Sequence, residues 1–191
     1  MNVDGIMNCP KDLCSEKVVV DGILRVKGFI ETEVLEGNGI VTVEKNLKAH
    51  KVEIDGILSV RENIDCEQFE ANGVIKANKI NADNILIKGM VNIKTALNCD
   101  AFNLVYFKKS KIKDIEGTNI KICSKKNYHR PLIVETITAD EIDIENVHCD
   151  TVTGNHVIIR KGCKIENLSY ISSVDIDKAA IVKNVKQEWW L

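Results

Sequence analysis

Apolar and polar residues alternate in short runs along most of this chain, as in Val18-x-Val20 and Leu24-x-Val26. A period of two puts those apolar side chains on one face of an extended strand. The runs also return in a longer register. Val18, Leu35, Val52, Phe69, Ile85 and Phe102 make one apolar column, and Cys9, Val26, Val43, Val60, Ala77 and Ile93 make another. Leu13, Ile30, Leu47, Ile64, Ile80 and Leu97 form a third, each followed two places later by a small residue: Ser15, Thr32, Ala49, Cys66, Ala82 and Cys99. Gly5, Gly22, Gly39, Gly56, Gly73 and Gly89 mark the phase, spaced 17, 17, 17, 17 and 16 residues apart. Two apolar residues follow each of them, from Ile6-Met7 to Met90-Val91.

Three short alternating runs per unit, joined at corners, describe one turn of a β-solenoid. A small residue recurring in one column suits a tight corner, and glycine suits a place where neighbouring backbones crowd. Helical solenoids need repeats of about 33 residues or more, which excludes them here. Without its glycine the pattern continues as Ile142-x-Ile144, Val157-x-Ile159 and Val174-x-Ile176. The expected fold is therefore all-β, a single-stranded parallel β-helix of about 17 residues per turn and about eleven turns. It forms one domain over residues 1–191 and, at about 4.8 Å per turn, a rod on the order of 50 Å long. Ile54, Leu58, Val60 and Ile64 should point inward. Residues 105–113 should widen one turn, residues 124–131 should protrude as a loop dispensable for folding, and 186–191 should form a short tail.

Composition narrows the class. Hydrophobic residues at 45% and charged ones at 28% exclude bulk disorder, and only 5% aromatics with two prolines favours stacked β-structure over a conventional core. A net charge of −2 gives no overall case for nucleic acid, and the few aromatics supply no base stacking. No apolar run reaches the roughly 18 residues of a membrane span and no basic-then-apolar leader opens the chain, so a cytoplasmic location is expected. Seven cysteines without a Cys-x-x-Cys read as reduced, mostly core residues rather than a disulfide framework.

The segments Leu47-Lys-Ala-His-Lys-Val-Glu-Ile-Asp-Gly-Ile-Leu-Ser-Val60 and Ala82-Asp-Asn-Ile-Leu-Ile-Lys-Gly89 resemble the bactofilins, bacterial polymer-forming cytoskeletal proteins. The segment Ala139-Asp-Glu-Ile-Asp-Ile-Glu-Asn146, continuing to Ile165, resembles members with an inserted loop. The resemblance covers nearly the whole chain. It implies a right-handed β-helix and nucleotide-independent, end-to-end polymerisation that scaffolds envelope or cell-shape machinery. It implies no catalysis. The repeat beginning at residue 1 departs from the family's disordered flanks, which puts membrane targeting by a tail in doubt.

Nothing in the residues themselves argues for an enzyme. No Gly-x-Gly-x-x-Gly or Gly-x-x-x-x-Gly-Lys-Ser/Thr is present, so no phosphate cradle is expected. The aspartates before the repeat glycines, Asp4, Asp21 and Asp55, read as corner formers rather than a carbohydrate-active carboxylate pair. A β-helix acyltransferase would show six-residue regularity, which is lacking. No catalytic residue, metal site or cofactor is therefore expected, and His148-Cys149-Asp150 is read as a strand with Cys149 inward.

Two surfaces remain as candidates. Lys108, Lys109, Lys111, Lys125, Lys126 and Arg130 concentrate positive charge at the two irregular segments and would suit an anionic surface or an acidic, envelope-associated protein. The chain ends would leave unpaired strand edges, so a second copy of the protein is the expected partner, through Val3 and Ile6 at one end and Trp189 and Trp190 at the other. The tryptophans can instead fold back as a plug over the last turn.

Overall fold

A computed structural model describes residues 1–126 and 128–189. The strands are β1 (Asn2–Val3), β2 (Ile6–Cys9), β3 (Leu13–Val20), β4 (Ile23–Val26), β5 (Ile30–Gly37), β6 (Ile40–Val43) and β7 (Leu47–Val60). They continue as β8 (Asn63–Ala77), β9 (Lys79–Tyr106), β10 (Lys111–Ser124), β11 (Leu132–Ile144), β12 (Val147–Ile159), β13 (Lys164–Ile176) and β14 (Ile181–Gln187). One pairing path, β1-β3-β5-β7-β8-β9-β10-β11-β12-β13-β14, runs the length of the molecule. The chain is a β-solenoid of about eleven turns with roughly 17 residues per turn.

Each turn has three sides. In the second turn, side A is residues 18–20, side B is Ile23–Val26, and side C of the next turn is residues 30–32. Every side contributes inward residues to one continuous core, in the columns expected from the repeat. Ile54, Leu58, Val60 and Ile64 are each at most 3% exposed. All ladders are parallel, so each side chain stands over its equivalent: Leu24 under Val41, and Val41 under Leu58.

At the corner between sides A and B the glycine column brings successive backbones together. A methyl group added at Gly22, Gly39, Gly56, Gly73 or Gly89 would lie 1.9 to 2.2 Å from the carbonyl oxygen of the preceding glycine. Close approach excludes a side chain at all five positions, and φ of 142–152° at Gly56, Gly73 and Gly89 favours glycine as well. The residue before the glycine is also tied to its neighbour: Asn38 Nδ2 donates to Asp21 Oδ1 at 2.8 Å. This bears out a structural role for the Asp-Gly and Asn-Gly corners.

Three boundaries differ from the sequence expectation. Val105 and Tyr106 complete β9, and Lys111 to Lys113 begin β10, so only residues 107–110 lie outside strands in the segment expected to widen. Within it Ser110 is 1% exposed: its hydroxyl accepts from Val91 N–H at 3.1 Å and donates to Lys108 C=O at 3.0 Å. Ser124 is the last residue of β10, so the projecting loop begins after it. Lys186 and Gln187 belong to β14, so the tail starts at Glu188.

Candidate functional site: the open ends and the loop corner

At the N-terminal end, β1 pairs only with β3 and β2 only with β4. No described strand covers their other edges. Val3 turns inward at 5% exposure, whereas Ile6 lies on the outer surface at 70%, so of the two only Ile6 offers its side chain to a partner. Met1, Met7, Cys9 and Leu13, which would be fully enclosed in an interior turn, are only partly buried. Gly5 stands apart from the rest of its column, because a methyl group there would meet nothing within 4 Å.

The C-terminal end is open in the same way. β14 pairs only with β13, Val185 is 50% and Ile181 55% exposed, and Val174, Ile176 and Val182 are only partly buried. Trp189 is 78% exposed, which overturns its reading as a plug. Trp190 lies outside the described residues.

The cationic residues are divided between two places. Lys108 and Lys109 (residues 107–110) and Lys125, Lys126 and Arg130 (residues 125–131) are exposed and lie on adjacent turns at the corner between sides A and B. Lys125 N–H donates to Tyr106 C=O at 2.8 Å, and its ammonium sits 5.3 Å from the centre of the Phe107 ring. Lys111 lies instead on side B, 3.8 Å from Glu135. The loop is anchored by residues that the sequence pattern did not single out. Tyr106, fully buried, accepts from Leu132 N–H at 3.0 Å and donates to the carbonyl of Asn146. Tyr128 of the loop meets it edge-on with ring centres 5.8 Å apart. Asn146 has φ of 58°, and its amide donates to Arg130 C=O at 3.1 Å. The loop thus packs on a core residue through Tyr128 and is tied to Asn146 at Arg130.

The remaining polar groups make structural contacts. His50 lies 3.0 Å from Glu67, and His156 2.8 Å from Ser173. Burial and the nearby Lys164 ammonium lower the pKa of His148. Burial pushes Cys66, Cys99 and Cys149 up to about 12 and Cys163 to about 11, so none is a ready thiolate at neutral pH. Among the described residues no group of three His, Cys, Asp or Glu side chains could hold a metal ion, and no helix is long and apolar enough to cross a membrane. A groove of about 530 Å³ on side A is lined by Lys51, Gln68, Glu70, Asn84 and Asn103 and holds neither a histidine nor a cysteine. Comparisons with family models, curated proteins and solved structures returned no match to this chain.

Proposed function

We propose that this chain is a non-enzymatic structural protein that assembles with copies of itself, end turn to end turn, without nucleotide. The form of the reading comes from the resemblance of the repeat to bactofilins. On that reading the filaments or oligomers scaffold envelope or cell-shape machinery from the cytoplasmic side.

Its main support is Gly5. At every later position in the column, glycine is required by the backbone beneath it. Gly5 has no such neighbour within the chain, yet it is glycine, as a position stacked against another turn would have to be. The uncovered edges of β1, β2 and β14 add unpaired N–H and C=O groups, which template further strand pairing. The exposed Ile6, Ile181 and Val185 add apolar area at the same ends.

Negative-stain microscopy and light scattering of purified, tag-free protein without nucleotide test the reading. Assemblies are expected at micromolar concentration. Gly5→Ala should raise the concentration needed for assembly by at least about tenfold, the equivalent of about 1.4 kcal/mol, while leaving the thermal transition of the dispersed chain unchanged. A wild-type protein that stays monomeric at high concentration and physiological salt overturns it.

A further inference from the structure

Of the two apolar residues that follow each glycine, the first points out of the solenoid. Ile6, Ile23, Ile40, Ile57, Val74 and Met90 therefore form an outer apolar column along side B. Phe107, whose N–H donates to Gly89 C=O at 3.4 Å, extends it by one turn. Members of this column are part-exposed to exposed, with Ile40 at 36% and Ile57 at 38%. At the strand spacing of about 4.8 Å the column spans roughly 30 Å on a flat sheet side.

The charges on this side have one sign. The outward position two residues after the column carries Arg25, Lys76 and Lys111, with Asn8, Thr42, Ser59 and Asn92 elsewhere and no carboxylate. The adjoining corner starts acidic, with Asp4, Asp21 and Asp55, but has Lys88 in the sixth turn, then Lys108, Lys109, Lys125 and Lys126. None of Lys76, Lys88, Lys108, Lys109, Lys125 or Lys126 forms an ion pair with a described carboxylate. The corner opposite side B, between sides C and A, has the opposite sign: Glu16, Glu33, Glu67, Asp83 and Asp100 follow the small-residue column there, all exposed. The net charge of −2 thus conceals a rod with one acidic corner between sides C and A and, from the fifth turn on, a cationic stretch along side B and its adjoining corner.

We propose that side B, centred on Val74, Met90 and Phe107 and their surrounding lysines, docks on an anionic lipid surface. Two copies packed face to face through this side would set lysine against lysine, which disfavours self-pairing there. A nucleic acid would satisfy the cations but leave the apolar column without a partner. An anionic bilayer takes both. Lysines each contribute roughly 1 kcal/mol near such a surface, and apolar side chains enter the headgroup boundary beneath them.

Flotation of the full chain with vesicles tests this, because only lipid-bound protein rises and protein assemblies do not. Vesicles of phosphatidylcholine with about one-third phosphatidylglycerol should carry the protein at about 0.05 M salt, and pure phosphatidylcholine vesicles should not. The quadruple variant K108E/K109E/K125E/K126E, which changes only exposed side chains, should bind at least about tenfold more weakly. Ile57→Ser should weaken binding several-fold with an unchanged circular dichroism spectrum. If that variant misfolds, the charge variant decides alone. Absence of flotation with anionic vesicles, unchanged binding by the charge variant, or displacement from the vesicles by equimolar single-stranded DNA would overturn the proposal. Flotation is read separately from assembly, so either proposal can fail without the other.

Discussion

The corner between sides A and B is closed by two different devices in the two halves of the molecule. Up to Gly89 it is closed by backbone against backbone, with no room for a methyl group. From Tyr106 to Asn146 it is closed by side chains (a buried phenol, an asparagine in left-handed conformation and an edge-on tyrosine from the loop), before Gly162, with φ of 76°, returns a glycine to the corner. The first device enforces a strict repeat, because every unit must present the same bare backbone. The second frees the chain length. Phe102 to Ile120 is 18 residues, Ile120 to Ile142 is 22 and Ile142 to Val157 is 15, yet all four stack in one inward column. A solenoid can thus vary its turn length wherever side chains rather than backbones seal the corner.

Breaking the first device should cost most. Gly39→Ala would place a methyl group 2.0 Å from Gly22 C=O, with fixed turns above and below. A loss of about 4 kcal/mol or more is expected, read as a shift in the urea midpoint. In the irregular half, at the corner between sides C and A, a methyl group at Gly154 would meet side-chain methyl groups of Val157 and Ile142 at 2.8 and 2.9 Å, which can move, and Ala139 C=O at 3.0 Å, which cannot. Gly154→Ala should cost about 1–3 kcal/mol. Equal losses for the two variants would show that the stacked glycine column is no less tolerant of a methyl group than a glycine packed mainly on side chains.

The second device is tested by Tyr106→Phe. The ring still fills the core, but Leu132 N–H loses one of its two acceptors, keeping Asn146 C=O at 3.1 Å, and Asn146 C=O loses one of its two donors. A loss of about 1 kcal/mol is expected by urea unfolding. Hydrogen exchange should rise at Leu132 and in the loop while the glycine-column turns stay protected. No change at Leu132 would mean that the phenol is not what seals this corner.

How much of this the sequence carried depends on periodicity. The inward columns and the glycine column repeat at nearly fixed spacing, so three or four units suffice to identify them. Tyr106, Ser110, Tyr128 and Asn146 occur once each, and no column predicts a part used once. Tyr106 even falls in the stretch expected to be irregular, although it is a fully buried strand residue. Asparagine tolerates the left-handed region, but a single Asn among many gives no reason to expect φ of 58° at position 146. The outer isoleucine column was visible as a spacing, but strand alternation alone does not say which of two adjacent apolar residues faces out. The open ends were legible only in part: strand edges follow from any solenoid, whereas the inward turn of Val3 and the exposure of Trp189 depend on how the last turns pack.

The smallest effect at neutral pH concerns the thiols, which differ in enclosure within each half. Cys14 in the first half is exposed, whereas Cys149 and Cys163 in the second are enclosed, at 3% and 1% exposure. Burial disfavours the thiolate of both and raises their pKa values to about 12 and 11, from an ordinary value of 9.0. With iodoacetamide at about pH 8, mass spectrometry should find Cys14 labelled quickly and Cys149 and Cys163 unlabelled, with the fold unchanged. Raising the pH reverses that stability. Between about pH 9 and 12 the unfolded chain releases thiol protons that the folded chain retains, so unfolding is favoured progressively as pH rises. Cys163→Ala should reduce this alkaline sensitivity even if it lowers stability at neutral pH, because the titrating group is gone. Rapid labelling of Cys149 at about pH 8 would show that the irregular half opens locally, and that its side-chain corner seals less tightly than the glycine column.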